Sequence, residues 1–257
     1  MRIKHVAISA AAIAVLGLSA GCGPETSDQH GKAAPAGDAQ ASAGSGASGH
    51  GTELKATLER AYSTTTDAKT AKISMTAKTS GGHTGSTTMT GVVRFSPLAE
   101  KGTIHTAGRT IEAIVVDGTA YIRLGSSWRT IDLSQLSTGA MQDPTQALSY
   151  LRGVSSSVHE TGSKTIRGVR ASGYAATVDV QKAAAKQSGK AAAALTKLAD
   201  QGVSSVPVEV WLDSAGRVVR LHSTLTVKAG GESTTVDATT DLYDYGTSVH
   251  ISAPAGA

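Results

Sequence analysis

The chain has few of the residues on which disulfides, cysteine metal sites and aromatic cores depend. Cys22 is the only cysteine among 257 residues, and aromatic residues make up 4% of the chain, with one Phe and two Trp. A single cysteine excludes a disulfide within the chain and a metal site built from several cysteines. Because large side chains are scarce, a core must be filled by close packing of small residues or must retain a cavity.

Concentrated charge and catalytic motifs are also missing. The chain carries 24 Lys and Arg against 20 Asp and Glu, and no basic cluster stands out. The sequence therefore gives no support for nucleic-acid binding. It contains no H-E-x-x-H, G-x-S-x-G or S-x-x-K motif and no phosphate-binding loop, and its histidines are scattered without metal-ligand spacing. We therefore predict a protein that is not an enzyme and has neither a cofactor nor a metal.

The first 22 residues have the features of a lipoprotein signal. Arg2 and Lys4 precede an apolar run of 13 residues, from Val6 to Leu18, and small residues lead to Cys22. As a helix that run is about 20 Å long, shorter than the roughly 30 Å needed to span a membrane. The stretch resembles a bacterial lipobox, although its leucine stands four residues before the cysteine rather than three. It predicts cleavage before Cys22 and acylation of the thiol, for example with palmitate. The alternative is an ordinary secretory signal.

Composition divides the chain into three parts. Residues 1–21 are predicted to be the signal peptide, 22–51 a lipidated N-terminus with a disordered tether rich in Gly, Ala and Ser, and 52–257 a folded lipid-binding domain. This places the mature protein at the cell membrane, lipid-anchored on the extracytoplasmic side. The remaining 206 residues are enough for one large domain.

The first half of the domain reads as one helix followed by a run of antiparallel strands. A helix is predicted from Thr52 to about Thr65, and alternation of apolar and polar residues then predicts strands over 71–78, 89–95, 101–107, 110–116, 119–124 and 128–133. Asp117-Gly118 is typical of a hairpin turn.

The second half alternates between helices and strands. Asp143-Pro144 opens a predicted helix that Gly153 ends, and an alanine-rich helix is predicted over 179–201, with a kink at Gly189 and a stop at Gly202. Strands are predicted over 155–161, 164–169 and 171–178, and three more over 206–212, 219–227 and 236–242.

Together these elements predict an α+β fold in which a curved antiparallel half-barrel sheet of about 10–12 strands has its inner face covered by about three helices. One sheet face is apolar, whereas the other carries Lys, Arg, Thr and Asp. Asp237, Asp241 and Asp244 are interpreted as solvated surface residues rather than a cation site. Trp211, Tyr243 and Tyr245 are predicted to point outward, with simple packing favoured over membrane contact.

Several segments resemble the LppX/LprG family of actinobacterial lipoproteins, which has the fold of the carriers LolA and LolB. They are Val116 to Tyr121 with Trp128, Asp143 to Gln146 with Tyr150 to Gly153, Gly162 with Arg167 to Val169, Tyr174 with Thr177 to Asp179, Val206 to Asp213 with Gly216 to Val218, and Tyr243 to Gly246. The resemblance implies a lipid-anchored protein that holds acyl chains between a half-barrel and its helices and moves glycolipids or lipoproteins through the envelope.

The inner sheet face and the helices facing it are the predicted lipid-binding cavity. Its predicted lining is Ile73, Met75, Met89, Val93, Leu148, Leu151, Leu195, Leu198, Val208, Val210, Leu221, Leu225, Val236 and Ala238. From the residues alone, close packing and an open cavity remain equally acceptable. Two functions follow: an envelope lipoprotein that binds an acyl-chain lipid or glycolipid and carries or exchanges it, or a structural or sensory lipoprotein that binds an envelope protein partner without lipid.

Overall fold

The computed structural model describes residues 47–82, 84–132, 148, 150–154, 157–187, 189–229 and 232–255. Within these residues the helices are α1 (Ala47–Asp67), α2 (Val180–Ala185) and α3 (Gly189–Asp200), and Tyr150–Gly153 forms a 3-10 helix. The strands are β1 (Thr70–Gly81), β2 (Gly85–Phe95), β3 (Leu98–Thr106), β4 (Arg109–Val116), β5 (Thr119–Leu124), β6 (Ser127–Asp132), β7 (His159–Ile166), β8 (Val169–Asp179), β9 (Ser205–Leu212), β10 (Val218–Ala229) and β11 (Glu232–Tyr243).

All these strands form a single antiparallel sheet. Its order is β6-β5-β4-β3-β2-β1-β11-β10-β9-β8-β7, so two meanders, β1–β6 and β7–β11, meet where β1 pairs with β11. The sheet is a curved half-barrel that does not close, and the helices lie on its concave face. The predicted α+β class, strand number and helix number are therefore confirmed.

Turn chemistry explains the hairpin that was predicted and one that was not. Asp117 and Gly118 both have positive φ, at 52° and 76°, as a type I′ turn requires. Arg167 and Gly168 do the same at 47° and 82°, and join β7 to β8. The prediction of separate strands over 155–161 and 164–169 is wrong, because β7 runs unbroken through Gly162. That glycine has φ 98° and lies at a β-bulge instead of a turn.

The alanine-rich helix is in fact two helices. Asp179 caps α2, its Oδ1 accepting a hydrogen bond of 2.9 Å from the backbone N–H of Lys182. The helix ends at Ala185, and Gly189 opens α3 rather than kinking a continuous helix. The first helix, predicted from Thr52, begins five residues earlier at Ala47 and ends at Asp67. The predicted helix start at Asp143 lies outside the described residues.

The main core lies between the helices and the concave face. Leu58 of α1 and Ile73 of β1 are fully buried there, together with Val180 of α2 and Leu195 of α3. Packing of the helices on this face accounts for their stability, since isolated helices as short as α2 do not persist in water.

The prediction of a single apolar sheet face is incomplete, because the convex face carries two smaller cores. The C-terminal segment after Tyr243 crosses this face and buries Ile251 against Ala99, Ile114 and Val116. In the other core Trp211 is only 7% exposed. It packs with Ile166, Ala171 and Val219.

Candidate functional site

The helices fill most of the predicted cavity. Eight of its predicted residues are at most 3% exposed and belong to the main core: Ile73, Val93, Leu148, Leu151, Leu195, Val208, Val210 and Leu221. These side chains already pack together, so an acyl chain cannot enter between them unless a helix moves.

The other six predicted residues are half-buried: Met75, Met89, Leu198, Leu225, Val236 and Ala238. Five of them lie on the strands and share the concave face. The register brings Met75 opposite Met89 and Val236 opposite Leu225. Between these pairs Ala238 lies opposite Ala77, so a small residue occupies the middle of the patch.

Ile104 of β3 and Ile111 of β4 extend this patch, because Met89 pairs with Ile104 and Ile104 with Ile111. We call seven half-buried apolar residues of the concave face, on strands from β10 to β4, the concave trough: Leu225, Val236, Ala238, Met75, Met89, Ile104 and Ile111. Five strand spacings separate β10 from β4, so the trough crosses about 24 Å of sheet. The two isoleucines were missed from sequence, although their alternation with polar neighbours was a usable signal.

Two glycines lie beside the trough, where strands β2 and β3 approach closely. Gly91 of β2 lies directly opposite Gly102 of β3, and Gly102 lies opposite Ala113 of β4. A Cβ on Gly91 would overlap the carbonyl oxygen of Lys101, and one on Gly102 would lie 2.6 Å from the carbonyl oxygen of Thr90. Because the strands approach too closely for side chains here, the concave face has a floor of backbone at this point.

One buried acid faces the same region. Glu100 of β3 is 8% exposed and lies opposite Val93 of β2 and Val115 of β4. Since Val93 belongs to the main core, the register places Glu100 on the concave face as well. Sequence reasoning did not single it out.

The helix break lies beside a charged clamp. Glu59 of α1 accepts hydrogen bonds from Lys186 at 2.7 Å and from Lys55 at 2.6 Å. Partial burial would raise the pKa of the Glu59 carboxyl, but the two lysines outweigh that effect and the pKa is lowered. The clamp holds α1 to the end of α2, just before the link to α3.

The convex face is less solvated than predicted. Asp241 is 6% exposed and binds two guanidinium groups, Arg220 at 2.5 Å and Arg167 at 3.0 Å. Burial would raise the pKa of Asp241, yet the hydrogen bonds from Arg220 and Arg167 dominate and lower it. Asp241 is therefore a structural ion-pair residue and not a solvated one. Asp237 pairs instead with His222, at 2.9 Å.

The aromatic residues near the chain end serve packing, as favoured from sequence, but Tyr245 packs against the main core instead of pointing outward as predicted. Arg167 lies over the ring of Tyr243, 4.2 Å from its centroid, and Lys164 lies 3.8 Å from the centroid of Trp211. The Tyr245 hydroxyl donates to the carbonyl oxygen of Val218. Burial raises the pKa of the Tyr245 phenol well above its usual range.

Two surface pockets lie away from the trough. One, of about 390 Å³, is at the β3–β4 hairpin and is lined by Thr88, His105 and Arg109 among others. The second, of about 430 Å³, includes His159, Glu209 and His222, which the register places on the convex face. Within the described ranges, no three His, Cys, Asp or Glu side chains come together in a way that would hold a metal ion. None of the helices in the described part is long and apolar enough to cross a membrane.

Comparison with solved structures identifies the architecture. The structure of the lipoprotein LppX from Mycobacterium tuberculosis matches 78% of this chain and 99% of its own, with a TM-score of 0.52 and 18% sequence identity. The chain has the LppX/LprG fold, which is LolA-like. The structure of LprF from Mycobacterium bovis covers 80% of this chain and 98% of its own at 15% identity, with a TM-score of 0.49.

The sequence comparisons match a smaller part of the chain than the structure comparisons do. No family model matches it. An uncharacterized 31.2 kDa protein from Streptomyces griseus, encoded in the rplA–rplJ intergenic region, is 31% identical over 138 residues. That match spans 49% of this chain and 44% of the relative, so it covers less than half of either protein.

Proposed function

We propose that this chain is a cell-envelope lipoprotein, anchored through acylated Cys22, that binds the acyl chain of a lipid along the concave trough and carries or exchanges it. The observation that carries the proposal is the trough itself: seven half-buried apolar residues on the concave face, beside a point where Gly91 and Gly102 present backbone without side chains. The LppX/LprG fold supports it as an analogy.

The energetics favour long acyl chains. Each CH₂ group that moves from water into an apolar site contributes about 0.8 kcal/mol, so ten groups contribute about 8 kcal/mol. Association costs about 4–15 kcal/mol in lost freedom of motion. A short chain therefore binds weakly to the trough, and tight binding needs additional apolar contacts.

Helix α3 is the element best suited to provide them. Leu195 and Leu198 lie on α3 and face the main core. In contrast, α2 is fixed closely: Val180 and Ala183 are fully buried, and a Cβ on Gly153 would lie 2.5 Å from the Cβ of Ala183. We therefore propose that α3 swings away from the sheet while α2 stays in place, which opens the covered side of the trough.

The test is native mass spectrometry of the secreted Cys22→Ala protein from a native-like host. We expect co-purified lipid, and much less when Ala238→Trp places a large ring in the middle of the trough. Thr239→Trp is the matched control, because Thr239 lies opposite Thr76 on the convex face. All three proteins should show the same circular dichroism.

Lipid-free protein that takes up no fluorescent acyl probe would overturn the carrier proposal and favour a lipoprotein that binds a protein partner. Equal loss of lipid in the Ala238→Trp and Thr239→Trp variants would contradict the placement of the lipid in the trough.

A further inference from the structure

The tip of the β7–β8 hairpin is a cationic projection at one edge of the sheet. β7 is the last strand in the sheet order, and a type I′ turn joins it to β8. The side chains of Lys164, Arg167 and Arg170 are all exposed. The sequence has no acid between Glu160 and Asp179. Three cations therefore stand at this tip with no acid beside them in the hairpin.

An exposed apolar side chain lies among these cations. Among the described residues, Val169 is the one large apolar side chain that is exposed, at 40%. It lies opposite Ile166, which is buried in the smaller convex core with Trp211. Val169 therefore extends a packed core to the tip of the hairpin, with cations on either side of it.

Ion pairing leaves the tip positively charged. Asp241 carries one negative charge between two guanidinium groups, those of Arg167 and Arg220, so this group of three keeps one positive charge. In the described part of the chain, Lys164 and Arg170 contact neutral groups, an indole ring and a serine hydroxyl. The tip and its ion pair together therefore have an excess of three positive charges.

Two other acids at this end of the sheet have cations of their own. Asp213, just after β9, pairs with Arg217 at 2.7 Å, and Asp244, just after β11, pairs with Lys72 at 2.8 Å. Because each of these pairs is neutral, neither reduces the charge of the hairpin tip.

We infer that the tip of the β7–β8 hairpin docks on a membrane surface that contains anionic phospholipids, with its cations at the lipid phosphates and Val169 among the first acyl carbons. Anionic lipids attract Lys and Arg side chains, and an exposed apolar side chain adds to that attraction. The choice of a membrane as partner rests on the proposed anchor at Cys22. An anchored domain stays close to the bilayer, so a weak contact is sufficient.

The experiment measures vesicle binding by Cys22→Ala protein, which lacks the anchor. The protein is sedimented with vesicles of phosphatidylcholine alone or with one-third phosphatidylglycerol. We expect binding to the anionic vesicles at low ionic strength and its loss at about 0.5 M NaCl, because salt screens exposed charges. Each cation at the surface contributes about fivefold, so Lys164→Gln combined with Arg170→Gln should weaken binding about 25-fold. Lys164→Arg combined with Arg170→Lys should bind as the parent does.

The matched control removes two cations elsewhere. Arg109→Gln combined with Arg129→Gln makes the same change in net charge at exposed positions of β4 and β6, far from β7 in the sheet order. It should weaken binding by less than about threefold, because these cations do not reach the membrane when the hairpin docks. Circular dichroism should be the same for all variants.

A fluorescent label tests the position of Val169. The Cys22→Ala protein has no cysteine, so Val169→Cys gives a single site for an NBD dye. Its emission should shift to the blue when anionic vesicles are added. The same label at Ala107→Cys, in the turn between β3 and β4, should not shift.

The outcomes decide the role of the hairpin. Equal weakening by the two double variants, or equal binding of the parent to both kinds of vesicle, would overturn docking through this tip, as would unchanged emission from the label at Val169→Cys. None of these results bears on the anchor or on lipid carriage, because the intact mass of the parent protein and the Ala238→Trp variant test those separately.

Discussion

Leu195→Ala tests whether α3 packs on the sheet in the absence of lipid. Leu195 is 2% exposed in the main core. Removing a buried leucine side chain from a core that cannot collapse costs about 2–5 kcal/mol. If α3 is closed, as the structure has it, the variant should lose that amount of unfolding free energy. If α3 stands away from the sheet, Leu195 is solvated in the folded state and the loss should be close to zero.

The assay is urea unfolding of delipidated Cys22→Ala protein, followed by circular dichroism. Thr196→Ala is the control, because Thr196 is the exposed next residue on the same helix. It should change the unfolding free energy by less than about 0.5 kcal/mol. Leu58→Ala on α1 is the reference for a helix that stays packed, since Leu58 is fully buried. A Leu195→Ala loss below about 0.5 kcal/mol beside a normal Leu58→Ala loss would refute the closed state of α3.

Three other changes test the remaining features. Asp241→Asn should lower the unfolding free energy at pH 7 by about 1.5–3 kcal/mol. Because the folded-state pKa of Asp241 is lowered, its contribution to stability is fully present above the usual aspartate pKa of about 3.9 and is lost as the pH falls through the lower folded-state pKa. The difference in urea midpoint between parent and variant should therefore be smaller at pH 3 than at pH 7. Gly173→Ala should lower the unfolding free energy by about 1–3 kcal/mol, because its Cβ would overlap the Trp211 ring. In a Trp128→Phe background the same change should alter the fluorescence of Trp211, and unchanged emission would contradict the contact. Cys22→Ala should abolish acylation, and an intact mass showing a free Cys22 thiol in the parent protein would disprove the anchor.

The sheet could be predicted well because its signals are local. Alternation over 71–78 and the Asp117-Gly118 turn fix strands and hairpins without reference to the rest of the chain. Errors arose where one residue type serves two geometries. Gly162 permits a turn or a bulge, and only the pairing with β8 selects the bulge. The same holds for Gly189, which weakens a helix interior but can also begin a new helix.

The candidate site was harder to predict, because burial depends on partners that are distant in the chain. Period-two patterns in the strands and apolar stripes in the helices identified which residues face inward, and all fourteen proposed positions are at least half-buried. They did not identify which of them the helices cover. Glu100 was missed because a charged residue in a strand is ordinarily assigned to the solvated face, and its true orientation follows from its pairing with Val93.

The small side chains of this domain serve two different purposes. Where Gly153 meets Ala183, they permit helix α2 and the 3-10 helix to approach closely, which fixes α2 in place. Where Gly91 meets Gly102, they permit two strands to approach and leave no side chain on the concave face. The first use closes the core, and the second brings the backbones of β2 and β3 together beside the trough. The contrast explains how a chain with few aromatic residues can combine a packed core with a half-buried apolar region on the same concave face.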